Sequence, residues 1–120
     1  MAQTHLPHDH GQDTEKIFRA MPGEAEFQTA ADTFRQLGDP TRLRIFWLLC
    51  HCEECVLNLS ALMNMSSPAV SHHLKQLKAC GLITGRRAGK EVYYKAADTK
   101  QVELLHHMIE KMVEITCPNQ

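Results

Sequence analysis

The chain has no apolar run approaching the ~18 residues that a membrane-spanning helix requires. Its N-terminus also lacks the basic-then-apolar order of a secretory signal. These absences lead to the expectation of a soluble, cytoplasmic protein with no membrane partner. Net charge is almost lacking too, at -1 with histidines neutral, and taken alone this argues against a general polyanion binder. An H-E-x-x-H pattern, a phosphate-cradling glycine loop and a plausible nucleophile–base–acid set are all missing, so no enzyme is expected. No internal repeat or linker interrupts residues 24–117. At 120 residues and 43% hydrophobic composition, the chain has room for one packed core and not for two.

The small net charge hides an asymmetry. Lys75, Lys78, Arg86, Arg87, Lys90 and Lys95 fall within residues 66–95 against one acid, Glu91. Such a local positive stripe is the electrostatic footprint that phosphate contacts need. Residues 1–23 form a polar, His-containing arm, with a short helical stretch at Glu15–Met21 broken by Pro22-Gly23. Phe27, Ala30 or Ala31, Phe34 and Leu37 then recur at helical spacing, and Gly38 closes that run. Asp39-Pro40 supplies an N-cap acid followed by proline at the first helical position. The helix from Thr41 to Cys50 is apolar on most sides and is expected in the core. After a polar break at His51–Glu54, a short helix spans Val56–Met63. Asn64-Met65-Ser66 makes a tight connection to a helix that Ser66 caps and Gly81 terminates. Two helices joined in this way, the second with a polar outer face, form a helix-turn-helix pattern.

Leu82-Ile83-Thr84 and Val92-Tyr93-Tyr94 are β-prone runs around the loop Gly85-Arg86-Arg87-Ala88-Gly89-Lys90, which reads as a hairpin with a basic tip. Thr99–Thr116 is amphipathic, and its wide apolar stripe exceeds what so small a domain can cover alone. A two-fold dimer interface is the expected use. The fold class is therefore mainly α with a small β-hairpin, a dimeric winged helix-turn-helix in the order α-α-α-α-β-β-α over residues 24–117.

The stretches Leu37-Gly38-Asp39-Pro40-Thr41-Arg42-Leu43-Arg44-Ile45 and Ser66-Ser67-Pro68-Ala69-Val70-Ser71-His72-His73-Leu74-Lys75-Gln76-Leu77 resemble the ArsR/SmtB family of metal-sensing repressors, as do Gly81-Leu82-Ile83 and Gly89-Lys90-Glu91-Val92-Tyr93-Tyr94. The resemblance spans about Ala30–Asp98. It implies a repressor that releases double-stranded operator DNA when a metal or a thiol-reactive signal arrives. A reading helix enters the major groove by its N-terminal half, which would place Ser67, Ala69, Ser71, His72 and Lys75 near base edges. The amides of Ser66 and Ser67 suit a phosphate. Arg86, Arg87 and Lys90 would reach phosphates or the minor groove. Without the fold, the same residues read as a solvated helix face and a charged hairpin.

Cys50, Cys52 and Cys55 form a C-x-C-x-x-C cluster that includes His51. Reduced thiols at this spacing suit Zn(II), Cd(II), Pb(II) or As(III), although free cysteine is also a common core residue. In the resembled family, Glu54-Cys55-Val56 matches the first ligand of a metal-binding stretch, while Leu57 and Ser60 occupy its later ligand positions. Family members also recruit ligands from an N-terminal arm, and His5, His8 and His10, with Asp9, are the candidates here. The family's second site, on the last helix, would use Asp98 and the positions of Lys100, Lys111 and Glu114. Two lysines there argue that it is absent in its usual form. His106, His107 and Glu110 could hold a metal, but histidines on an amphipathic helix are ordinarily surface or interface residues. Cys117 is either frayed or the partner of a cluster cysteine in an oxidation switch. The alternative to a metal signal is a redox or persulfide sensor of the same fold working through Cys50, Cys52 or Cys55.

Overall fold

A computed structural model describes residues 6–116. His5 and Cys117 lie outside them. The chain divides into two compact units at Ala31/Asp32. The first contains α1 (Thr14–Arg19), which buries no residue, and the start of α2 (Glu24–Gln36). Within it the Leu6 amide donates to Glu15 at 3.3 Å.

The second unit carries α3 (Pro40–Leu49), β1 (Glu54–Cys55), α4 (Val56–Met63), α5 (Ser67–Ala79), β2 (Ile83–Ala88), β3 (Glu91–Ala96) and α6 (Lys100–Thr116). Local chemistry sets most of these boundaries. Asp39 caps α3 in extended conformation, accepting from the Arg42 amide at 2.9 Å, with Pro40 in the first turn. Asn64 ends α4 in the left-handed region at φ 53°, a conformation that asparagine tolerates better than most residues. Ser66 then caps α5 by accepting from the Ala69 amide at 3.2 Å. The turn is braced by the Ser60 hydroxyl, which donates to the Met65 carbonyl.

The α3 helix lies at the centre of the core. Ile45, Phe46 and Leu49 pack with Leu59 of α4, Val70, Leu74 and Leu77 of α5, Leu82 and Ile83 of β2, and Val102, Leu105 and Ile109 of α6. The expected winged helix-turn-helix order is present from α2 to α6. Two features depart from the expected wing. Its strands run on through Arg86-Arg87-Ala88, leaving only Gly89-Lys90 as the turn between the paired Ala88 and Glu91. Gly89 takes φ +64°, as the first central position of a type II′ turn requires. Gly85 is thus a strand residue and not a loop residue, and a Cβ there would lie 3.1 Å from the Tyr94 ring. The second departure is β1, which pairs antiparallel with β3 through Glu54↔Tyr94 and Cys55↔Tyr93 and makes the sheet three-stranded, in the order β1-β3-β2.

Removing core volume at α5 should be costly. Leu74→Ala should lower unfolding free energy by about 2–5 kcal/mol, whereas Leu57→Ala, at a 62% exposed position, should change it by less than ~0.5 kcal/mol. Urea denaturation of the two variants measures both.

Candidate nucleic-acid interface and metal centre

The inner face of α5 (Val70, His73, Leu74, Leu77) is buried. Ser66, Ser71, His72 and Lys75 are therefore turned out to solvent, with Ser67 and Ala69 half-buried beside them. A polar clasp holds the helix in this orientation. Arg42 of α3 donates from Nε to His73 Nδ1 at 3.1 Å, and its terminal nitrogen donates to the Gln36 side-chain oxygen. The bond requires His73 to accept at Nδ1, so His73 is neutral with its proton on Nε2. Burial lowers the His73 pKa, and the Arg42 and His72 charges push it the same way, against an opposing pull from Asp39. The amide of Arg42 in turn holds the Asp39 carboxyl below its ordinary value.

On the wing, Arg87 and Lys90 are exposed. Arg86 is exposed as well, but the structure gives it a partner that sequence reading missed. Its Nε and terminal nitrogen donate to the two carboxylate oxygens of Glu53, at 2.8 and 2.6 Å, and its guanidinium lies 5.2 Å from the Tyr93 ring centre. Arg86 is thus joined to the loop of the cysteine cluster and is not a free cation at the wing tip.

The cluster itself is spread out. Cys50 is half-buried at the end of α3, Cys52 is exposed, and Cys55 is buried where β1 meets α4. The Cys52 thiol donates to the Leu48 carbonyl at 3.5 Å. Burial, with the nearby Glu110 charge, pushes the Cys50 thiol up to about 11. A groove of about 470 Å3 runs past Cys50, Cys52, Glu53, Lys95, Asp98 and His106. In the first unit, His8 and His10 stack their rings with centroids 5.9 Å apart.

Among the described residues, one group of three ligand-type side chains converges, and it contains no thiol: His51, His106 and Glu110. His51 Nε2 lies 3.0 Å from His106 Nε2, and Glu110 Oε1 lies 3.0 Å from His106 Nε2 and 3.3 Å from His51 Nε2. The Trp47 ring packs on His51 with centroids 4.2 Å apart. His106 and Glu110 share a face of α6 at i,i+4 spacing, which the sequence displays. Their meeting with His51 joins residues far apart in the chain and carries no local signal.

The fold and the outward face of α5 define a winged helix-turn-helix protein. Residues 39–84 match the model for "Bacterial regulatory protein, arsR family". The chain is 39% identical over 87 residues to a transcriptional repressor SmtB homolog of Synechocystis, covering 72% of this chain but only 66% of that relative's length. It is 34% identical over 94 residues to the cadmium resistance transcriptional regulatory protein CadC of Listeria innocua, covering 76% of this chain and 79% of the relative. A Mycobacterium bovis structure described as a homodimeric winged helix-turn-helix DNA-binding domain superposes with TM-score 0.68 at 27% identity, covering 78% of this chain and 91% of that one. The chain belongs to the ArsR/SmtB family of regulators. No described helix is long and apolar enough to cross a membrane.

The clasp predicts a pH dependence. Because the folded His73 pKa lies below the unfolded 6.5, the unfolded state binds more protons on acidification. The His73 contribution is complete above about pH 6.5 and is lost as pH falls through the lower folded value. The urea midpoint of the wild type should drop between about pH 7 and about pH 5, and that of His73→Gln should drop less.

Proposed function

We propose that this protein is a metal-responsive transcriptional repressor that binds operator DNA as a homodimer and is released when a borderline or thiophilic metal ion binds. The observation that carries the reading is the division of α5, with one face fixed in the core and Ser66, Ser71, His72 and Lys75 presented outward from its cap to its third turn. Those groups suit base edges and phosphates of a major groove, and Arg87 and Lys90 supply backbone contacts from the wing. The names of the SmtB and CadC relatives support repression and metal response.

Dimerisation is supported by α6. It buries Val102, Leu105 and Ile109 but leaves Leu104, Met112, Val113 and Ile115 at 50–76% exposure, an apolar face for a second copy. The pushed-up thiol of Cys50 is a poor nucleophile at neutral pH, which argues against a persulfide or redox signal sensed through that residue.

Fluorescence anisotropy on the DNA upstream of the protein's own gene tests the reading. Reduced wild-type protein should bind, and zinc, cadmium, lead or arsenite should weaken that binding. Lys75→Ala and Arg87→Ala should each lower affinity and reduce the salt slope by about 1. Absence of DNA binding in every state would contradict the reading, and tight binding indifferent to all four metals would remove its metal part.

A further inference from the structure

We infer that His51, His106 and Glu110 form a zinc-class metal site within one chain, joining the end of α3 to α6. This deepens the metal-responsive reading and rests on it for its effect on DNA, while metal binding itself can be tested separately.

In a tetrahedral zinc site with bonds of about 2.0–2.1 Å to nitrogen and oxygen, neighbouring ligand atoms stand about 3.3–3.4 Å apart. The three separations here are 3.0, 3.0 and 3.3 Å, close to one triangular face of that tetrahedron. Hydrogen bonding accounts for the cluster less fully. Two imidazole Nε2 atoms and one carboxylate oxygen all face each other, and any proton between a pair leaves the third approach unfilled. A single cation would satisfy all three at once.

The local structure also prepares the site. One helical turn places His106 and Glu110 side by side. The Trp47 ring orients His51 from α3, and the His51 and His106 rings meet edge-on with centroids 4.7 Å apart. All three side chains keep partial exposure, at 42%, 28% and 46%, so an ion can enter and a water can take the fourth position. Two imidazoles and a carboxylate favour zinc over lead or arsenic, which prefer thiolates. Among the described residues, no group of three converging ligand-type side chains includes Cys50, Cys52 or Cys55, and neither Lys100 nor Lys111 takes part, so this site is distinct from both sites that the family resemblance implies. A metal here would fix the His51–Glu53 loop to α6, and Glu53 holds the wing residue Arg86.

The test is zinc titration of the reduced full-length chain against a chromogenic chelator, with cobalt(II) as a spectroscopic stand-in and circular dichroism to verify folding. His106→Asn and Glu110→Gln should each weaken zinc binding by at least about tenfold, and His107→Asn, one position along, should leave it unchanged. Cobalt should give tetrahedral d–d bands with no thiolate charge-transfer band. A thiolate band, or loss of binding in Cys55→Ser with retention in His106→Asn, would overturn this site while leaving a metal-responsive repressor intact. Wild-type protein that binds no zinc, yet releases operator with cadmium, lead or arsenite, would also overturn the site alone. Zinc bound by the triad with operator binding unchanged by every metal would leave the site and remove the metal part of the reading, and protein that neither binds zinc nor releases operator with any metal would remove both.

Discussion

The burial of one face of α5 against α3 is the constraint on which the rest depends. Val70, Leu74 and Leu77 enter the same core as Ile45, Phe46 and Leu49, and that leaves one rotation of α5 in which its apolar side is covered. The outward set from Ser66 to Lys75 follows from that rotation. The Arg42–His73 bond adds direction to a packing force that has none of its own, because a buried imidazole without a partner would be costly. Asp39 serves both ends of this arrangement, starting α3 and holding the first turn that carries Arg42.

A second axis runs from the end of α3 through the loop of residues 50–54 to the wing. His51 reaches α6, Glu53 reaches Arg86, and Glu54-Cys55 adds a strand to β3. Three consecutive stretches of one short loop thus contact α6, β2 and β3. This loop is tied to the wing through a bidentate ion pair and two paired residues. Exposed ion pairs contribute little to stability, so the Glu53–Arg86 pair matters more for where it places a cation than for how strongly it holds the fold.

Much of this was legible in the sequence wherever the signal was local. Asp39-Pro40 and Ser66 announce helix starts because a cap acts within three residues. The inner and outer faces of α5 are readable because helical spacing sorts them. The arsR-family resemblance extended that reading to the order of elements. What could not be read depends on contacts across the chain. The two-residue β1 has too little pattern to show itself and exists only because β3 pairs with it. Gly85 looked like a loop glycine because its real reason, the Tyr94 ring against it, comes from the opposite strand. Arg86 looked like a free cation until Glu53 was placed beside it. The cysteines drew attention by their spacing, whereas His51 converges with a pair on α6 of which His106 lies 55 residues further along the chain. Sequence spacing reports ligand sets on one helix or loop and does not report those assembled between elements.

The central claim is that the outer face of α5 reads DNA as a symmetric pair. Methylation-protection footprinting of the metal-free protein on its operator tests it most directly. The account predicts protected major-groove guanines in two half-sites about one helical turn, or 34–36 Å, apart, with the protection lost in both half-sites when Ser71 and His72 are replaced by alanine. Protection at a single site, or a footprint unaltered by those replacements, would contradict it.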